Sequence, residues 1–255
     1  MTPEESWRSW REERNETLAS EHGWLTLIAL TWLGQQPAKI EGFPGVWSVV
    51  DDAAHARFQV EDDVRQTGDP VEGEVVIKLE SGSDFSLACG TRVAEVARRA
   101  GGYIVRVRDS QAPTRQSFTG VPVFDYDPAA VVAGTFDPYE SPRDVPIRTA
   151  NPDVPGSATL IGEVSFVYDG KPQRIAVQDD GDTFKAVFHD ETNGTESAGW
   201  RYVNFPKPEA GGAGVTIDFN RALNFPAAFT PFGTCPQPPE GNDIAAPVRA
   251  GERKP

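Results

Sequence analysis

The first twenty residues carry apolar side chains at the spacing of an α-helix. One largely apolar stripe consists of Trp7, Trp10, Arg14 and Leu18. Thr2 and Glu5 match a capping box, and Pro3 occupies the first helical position, where its missing N–H costs nothing. The pattern therefore predicts an N-terminal α-helix within residues 1–22. We expect its stripe to pack on the rest of the chain, and a homodimer contact is the alternative.

From residue 24 the pattern changes to short apolar or alternating runs separated by turn residues. The continuous run WLTLIALTWLG (24–34) is typical of a strand buried on both faces, although periodicity alone also allows a short buried helix. YIVRVRDS (103–110) alternates as a strand does, and Asp169-Gly170 separates two strands as a hairpin turn does. TRVAEVARRAGG (91–102) has helical propensity, with a pair of short strands as the alternative.

These patterns predict a mainly β fold: an antiparallel barrel-like or sandwich-like domain with an N-terminal α-helix. Residues 23–255 are expected to form a single β-rich domain of two sub-sheets. A proline-rich connection near 138–158 is the predicted place for an internal boundary. The composition agrees, because six Trp and fourteen Phe can fill a core while 24 Gly and 22 Pro supply many turns.

Charge and cysteine content restrict the partners and the location. The net charge is −14 and the isoelectric point is about 4.7, so the protein would repel phosphate backbones and anionic lipids. We therefore expect neither nucleic acid nor a membrane as a partner. The N-terminus lacks the apolar region of a signal peptide, so the expected location is cytoplasmic, with Cys89 and Cys235 as reduced thiols.

The segment VTIDFNRALNFPAAFTPFGTCPQPPEGN (215–242) concentrates polar residue types that a plain surface loop does not need. In a strand, Asp218 and Asn220 lie on one face, and Asp218 can pair with Arg221 or with Arg201 from the neighbouring WRYVNF run. Such a cluster lining a pocket would hold a carboxylate or a phosphate. The alternative is a corner in which these side chains satisfy turn amides and one another.

The predicted ligand site extends this cluster. In it, Arg201 and Arg221 contact the negative group of a ligand and the neighbouring carboxylate and amides orient them. The full set is Arg201, Asp218, Asn220, Arg221, Asn224, Asn242, Trp200 and Arg106. Arg106 is included because it shares a strand face with Arg108. Two guanidiniums that line a cavity favour an anion, whereas a solvent-facing pair would form cross-strand ion pairs.

His189 and Cys235 are the candidate catalytic residues, His189 as a general base and Cys235 as a nucleophile. No motif connects either residue to a catalytic partner, and a lone Cys235 is more typical of a small buried apolar side chain. Adjacent strand residues such as His189 and Asp190 point to opposite faces, which favours a solvated turn at Asn193-Gly194 over a metal site. Because glycine-rich phosphate loops, nucleophile elbows and zinc-ligand spacings are missing, the sequence predicts no metal and no cofactor.

Four segments carry a family resemblance: GWLTLIALTWLG, RVRDSQAPTRQSF, FHDETNGTESAGWRYV and IDFNRALNFPAAFTPFGTCPQPPEGNDIAAPVRAGE. They are similar to the bacterial and archaeal family known as DUF1684, over nearly the whole chain. The resemblance implies a mainly β fold with an N-terminal helix and no established reaction. Relatives often carry a cysteine at the position of Ala227 and a histidine at the position of Thr31. A family cysteine pair that serves a metal or a disulfide would therefore be lost in this chain.

Three functions follow as hypotheses. In the first, the protein binds a small anionic or polar molecule in a cavity closed by the C-terminal segment from DFNRALN to TCPQPP. In the second, it is a hydrolase-type or lyase-type enzyme that uses His189 or Cys235. In the third, it is a structural or interaction module that docks through the Trp7 and Trp10 stripe.

Overall fold

The computed structural model describes residues 1–255 and consists of 49% strand and 14% helix. Its sheets are antiparallel and sandwich-like, and the first element is a helix, which confirms the predicted fold class. The chain forms two compact units. The N-terminal unit comprises residues 14–119, and the C-terminal unit comprises residues 1–13 together with 120–255. No helix combines the length and the apolar character that crossing a bilayer requires.

Helix α1 (Pro3–Leu18) begins with the predicted capping box. The Thr2 backbone N–H donates to Glu5 Oε2 at 2.6 Å, and the Glu5 N–H donates to Thr2 Oγ1 at 3.2 Å. Within the C-terminal unit, the Trp7 indole donates to the Asn220 carbonyl at 2.8 Å and is 5% exposed. This part of the apolar stripe therefore packs on its own unit, as expected, while the homodimer stays a prediction.

The N-terminal unit contains two antiparallel sheets and a short helix, α2 (Pro113–Gln116). The strands are β1 (Leu27–Trp32), β2 (Ala38–Ile40), β3 (Phe43–Val50), β4 (Ala53–Phe58), β5 (Arg65–Gln66), β6 (Asp69–Pro70), β7 (Gly73–Ile77), β8 (Ser83–Cys89), β9 (Arg92–Arg99) and β10 (Gly102–Asp109). One sheet has the order β1-β10-β9-β8-β5-β6 and the other β2-β3-β4-β7. Apolar residues of both sheets form one core, in which the rings of Phe43, Trp47 and Phe58 meet edge to face.

Two sequence expectations in this unit need correction. The run 91–102 is not helical: β9 pairs with β8 on one side and β10 on the other, and the pairing outweighs the local helical propensity. The run 24–34 contains a single 3₁₀ turn, Trp24–Thr26, followed by β1. Because β1 is at the end of its sheet and alternates between buried and partly exposed residues, it is buried mainly on one face.

The C-terminal unit contains an eight-stranded sheet of order β16-β11-β12-β13-β14-β15-β17, with β18 pairing to β14 in parallel. The strands are β11 (Val131–Ile147), β12 (Gly156–Tyr168), β13 (Lys171–Asp180), β14 (Thr183–Asp190), β15 (Arg201–Pro206), β16 (Gly214–Asp218), β17 (Leu223–Asn224) and β18 (Asp243–Ile244). The predicted hairpin at Asp169-Gly170 joins β12 to β13, and both of its residues have positive φ, 50° and 70°. The segment 138–158, where the sequence predicts an internal boundary, holds the end of β11 and the start of β12, and the domain division stays a prediction.

The two faces of β14 have different surroundings. Phe184, Ala186 and Phe188 point into the main core of the unit, together with apolar residues of the other long strands. Lys185 and Val187 alternate with them and point to the opposite face. There Val187 packs against Phe225, Cys235 and partly buried aromatic rings in a second, smaller cluster.

Candidate functional site

Arg201, the first residue of β15, is completely buried, and its terminal nitrogens have protein partners. Nη2 donates to Asp190 Oδ2 and to the Val248 carbonyl, both at 2.8 Å. Nη1 donates to the carbonyls of Ala250 at 2.6 Å and Glu252 at 3.1 Å. We call these five residues the Arg201 network. The acidic partner of Arg201 is thus Asp190 and not Asp218, and the guanidinium binds the C-terminal backbone.

Asp190 is the other charged member of this network. Its Oδ1 accepts hydrogen bonds from the backbone N–H of Thr192 at 2.8 Å and of Val248 at 3.2 Å. Its side chain is 0% exposed, so the turn that follows β14 is not solvated at this residue, contrary to expectation. The carboxylate is buried because it neutralises Arg201 and orders the loop before β15. His189, its neighbour, lies on the opposite strand face, as predicted.

Asn242 replaces backbone pairing where two strands separate. β13 and β14 pair directly from Gln178 and Lys185 to the hairpin, and in that register Ala176 and Val187 would be partners two positions further along. The Asn242 side chain lies between them instead: it accepts from the Ala176 N–H at 2.7 Å and donates to the carbonyls of Ala176 at 2.9 Å and Val187 at 2.8 Å. Asn242 is 2% exposed, so these bonds are sheltered from water.

The side chains of Asn220 and Asn224 also form hydrogen bonds with the backbone of distant segments. Asn220 exchanges two hydrogen bonds with the Asp127 backbone, accepting at 2.9 Å and donating at 2.8 Å. The Asn224 side chain donates to the Arg253 carbonyl at 2.8 Å, and its backbone N–H donates to Glu252 Oε2 at 2.6 Å. Both asparagines are buried. They fix chain segments to one another, which corresponds to the corner alternative.

Asp218 and Arg221 form the ion pair that the sequence predicts, with 3.4 Å between Arg221 Nε and Asp218 Oδ2. Asp218 also caps the 3₁₀ turn Phe219–Arg221 by accepting from the Asn220 N–H at 3.0 Å. The Arg221 guanidinium lies 5.2 Å from the centre of the Trp10 ring and donates to Ser6 Oγ at 3.1 Å. Arg221 therefore holds the first half of α1 against the unit, and the structure brings it to Asp218 but not to Arg201.

Arg106 belongs to the N-terminal unit, where it forms part of a buried ionic cluster. Glu95 accepts from Arg106 Nη1 at 3.0 Å and from Arg108 Nη2 at 2.6 Å. Both guanidiniums also lie against the Trp24 ring, at 5.6 and 4.9 Å from its centre. The cross-strand ion pairs of the alternative interpretation are present, but they are buried, at 2 to 4% exposure, and do not face solvent.

Lys185 differs from the arginines described above because aromatic rings, and not acidic groups or carbonyls, surround its charge. Its side chain is partly buried on the second face of β14, with Nζ 4.5 Å from the centre of the Tyr202 ring and 5.4 Å from that of Phe225. The ammonium forms no ion pair and no hydrogen bond. Burial lowers the pKa of Lys185, and electrostatic interactions with Asp180 and Cys235 offset only part of that effect.

The proline-rich segment covers this face. The Cys235 carbonyl accepts from the Ala150 N–H at 2.8 Å, and the Gln237 N–H donates to the Arg148 carbonyl at 2.8 Å. These two bonds hold the segment in the extended form that Pro236 favours. Cys235 forms no disulfide and is 7% exposed, packed with Phe225, which agrees with its interpretation as a buried apolar side chain.

A cavity of about 50 Å³ adjoins the aromatic rings. It is lined by Ala198, Gly199, Trp200, Phe225, Ala227 and Ala228. Trp200 Nε1 is buried and has no hydrogen-bond acceptor. Gly233 packs between the backbone of Ala227 and Cys235 Sγ, since a Cβ at Gly233 would lie 3.2 Å from each. A cysteine at position 227, which the family resemblance implies for relatives, would therefore be close to Cys235. We refer to Lys185, Tyr202, Phe225, Trp200 and Cys235 as the Lys185 site.

His189 shares the strand face of Lys185 but lies four residues, or about 13 Å, further along β14. Its Nδ1 is 3.3 Å from Asp243 Oδ1, and the side chains are 35% and 70% exposed. No group of three or more His, Cys, Asp or Glu side chains that could hold a metal ion occurs. The catalytic roles of His189 and Cys235 stay predictions.

No sequence motif marks Lys185 as a binding residue. Within TFKAVFHD its alternation with Phe184 and Ala186 shows that it points away from a core, which is the usual place for a solvated lysine. Its special surroundings depend on Phe225 and the proline-rich segment, which follow forty or more residues later. Only the folded chain brings them together.

Comparisons with known proteins place the chain in a family but assign no activity. No curated protein matches it. Residues 116–253 match a family described as a protein of unknown function, DUF1684. A similar solved structure is the solution NMR structure of an uncharacterized protein of Haloarcula marismortui, with 30% identity, a TM-score of 0.46, and coverage of 55% of this chain and 79% of that one. The match extends over more than half of the residues, and the chain belongs to the DUF1684 family.

Proposed function

We propose that the protein binds a small anionic molecule at the Lys185 site. The observation that carries the proposal is a partly buried ammonium that faces two aromatic rings and has no carboxylate partner. The ligand's negative group would supply that partner. The proposal keeps the predicted ligand class and the predicted closure by the C-terminal segment, but it transfers ligand contact from Arg201 and Arg221 to Lys185.

The physical reason is the cost of desolvating a charge. A buried cation is normally neutralised by an anion or by several acceptors, as Arg201 is. At Lys185 the cation–π contacts with Tyr202 and Phe225 compensate part of the lost hydration, by roughly 0.5–2 kcal/mol for each ring. An anionic ligand would restore the rest through a charge-assisted hydrogen bond in surroundings of reduced dielectric constant.

Other lysines of the unit have acceptors that the chain supplies. Lys207 also lies near an aromatic ring, with Nζ 5.9 Å from the centre of Phe184, but it pairs with Asp179 Oδ2 at 2.8 Å. Lys171 donates to the Ala245 carbonyl at 3.0 Å. Lys207 is therefore a matched control for Lys185, because it has a cation–π contact and a satisfied charge.

Two-dimensional NMR of the full chain during titration with acetate, oxalate and inorganic phosphate tests the proposal. At least one of these anions should cause saturable shifts centred on Lys185, Tyr202 and Phe225. Lys185→Met should abolish the shifts and Lys207→Met should leave them unchanged. Saturable binding that survives Lys185→Met, or shifts that follow only ionic strength for all three anions, would contradict the proposal.

A further inference from the structure

The Lys185 side chain combines features of a lysine that reacts with carbonyl compounds. Its amine has no hydrogen-bond acceptor and no ion-pair partner, so no protein group must be displaced before it can approach a ligand atom. The aromatic rings of Tyr202 and Phe225 restrict its motion and exclude part of the solvent. Lysines that form imines in enzymes are typically held in such desolvated surroundings.

We propose that Lys185 forms an imine with the carbonyl group of a small oxo acid. This inference rests on the proposed anion binding at the same site, and it names the ligand as an anion with an aldehyde or keto group. In the reaction, the neutral amine attacks the carbonyl carbon, an N–C bond forms, and the C=O electron pair moves to oxygen. Proton transfer from nitrogen to oxygen gives the carbinolamine, which loses one water to form the imine. No oxidant or reductant is consumed.

Burial favours the reactive form of the amine. Because the pKa of Lys185 is lowered, a larger fraction of this side chain is neutral near pH 8 than of a freely exposed lysine. Once formed, a protonated imine keeps the positive charge near the two rings. The acid group of the ligand would therefore still be attracted to the site.

The surroundings limit the ligand to a short chain. The cavity beside Phe225 holds about 50 Å³, which is room for little more than one water-sized or methyl-sized group. Only one small group of a ligand could enter this cavity, so the proposal takes a two-carbon or three-carbon oxo acid and not a bulky aromatic one.

Reductive trapping tests the inference. The full chain is incubated with glyoxylate and sodium cyanoborohydride near pH 8, and the modified lysines are identified by peptide mass mapping. Lys185 should be labelled at least about tenfold faster than Lys207 in the same sample. Oxalate, an anion without a reactive carbonyl, should slow the labelling of Lys185 and leave that of Lys207 unchanged.

A charge-preserving variant separates this inference from the proposed binding function. Lys185→Arg keeps a cation for the anion titration but cannot form an imine. Equal labelling of all lysines, together with intact oxalate binding by the wild type, would overturn the imine and leave the binding function standing. Absence of both oxalate binding and selective labelling would overturn both.

Discussion

Arg201 and Lys185 are cations on neighbouring strands of one sheet. They differ in whether the chain supplies hydrogen-bond and ion-pair partners for the charge. Both lie near aromatic rings: Arg201 Cζ is 5.7 Å from the centre of the Phe188 ring, and Lys185 Nζ is 4.5 Å from the centre of the Tyr202 ring. Arg201, on the core side, has Asp190 and three backbone carbonyls as partners. Lys185, on the other side, has none. The chain itself neutralises the Arg201 charge, which holds the structure together, whereas the Lys185 charge is the one that we propose meets a ligand.

The largest effect should come from removing the Arg201 charge. Arg201→Met should lower the free energy of unfolding by about 3–5 kcal/mol, because the buried Asp190 carboxylate would lose its cationic partner and the C-terminal carbonyls would lose their donor. Urea denaturation monitored by tryptophan fluorescence measures the change. Arg174→Met is the control, since its pair with Glu163 is exposed and should contribute less than about 1 kcal/mol. If both variants lose the same free energy of unfolding, the buried hydrogen bonds of Arg201 contribute no more to stability than an exposed ion pair.

The next effect concerns the connection between β13 and β14. Asn242→Ala should lower the free energy of unfolding by about 2–4 kcal/mol, because Ala176 and Val187 lose their side-chain partner where direct pairing has stopped. Amide hydrogen exchange of Ala176 measures this locally and should become faster. Asn204→Ala, which removes an exposed bond to Asp180, should change neither quantity appreciably. Unchanged exchange at Ala176 would mean that the strands do not need Asn242.

Lys185 should behave in the opposite way. Lys185→Met should raise the free energy of unfolding slightly, by about 0.5–1 kcal/mol after allowance for partial solvent exposure, since an unpaired charge is removed from partly buried surroundings. Thermal and urea denaturation at pH 7 measure the change. Lys207→Met should be neutral or slightly destabilising because it breaks the pair with Asp179. A clear loss of stability in Lys185→Met would show that Lys185, like Arg201, stabilises the fold.

The smallest effect is a pH dependence. The pKa of Lys185 is lowered in the folded state, so the unfolded state binds more protons between that pKa and the ordinary value of 10.5. The stability of the wild type should therefore increase relative to Lys185→Met as the pH rises through this window. The difference between the two proteins should be constant below it. A difference that stays constant up to pH 10.5 would show that folding does not change the protonation of Lys185.

The predictable parts of the molecule are those determined by neighbouring residues. The capping box of Thr2 and Glu5, the turn at Asp169-Gly170 and the pair of Asp218 with Arg221 each join residues at most three positions apart. Their chemistry is local, so the sequence alone is sufficient to predict them.

The parts that sequence patterns miss depend on how distant segments meet. Arg201 donates to backbone carbonyls of residues 248–252. Every residue has such a carbonyl, so the pattern of side chains does not show which ones Arg201 will contact. The cover over Lys185 comes from Phe225 and Cys235, which local propensity cannot place. The polar segment near Asp218 has the residue types of a binding site, and the same types also hold a corner together, so the sequence alone does not separate the two.

The most direct test of the difference between the two cations is an NMR titration of Lys185 in protein with isotopically labelled lysine, with and without a saturating anion. The account predicts that the pKa of Lys185 lies below 10.5 in the free protein and rises when the anion binds, because the ammonium then gains the partner it lacks. A pKa at the ordinary value, or one that the bound anion does not move, would contradict it.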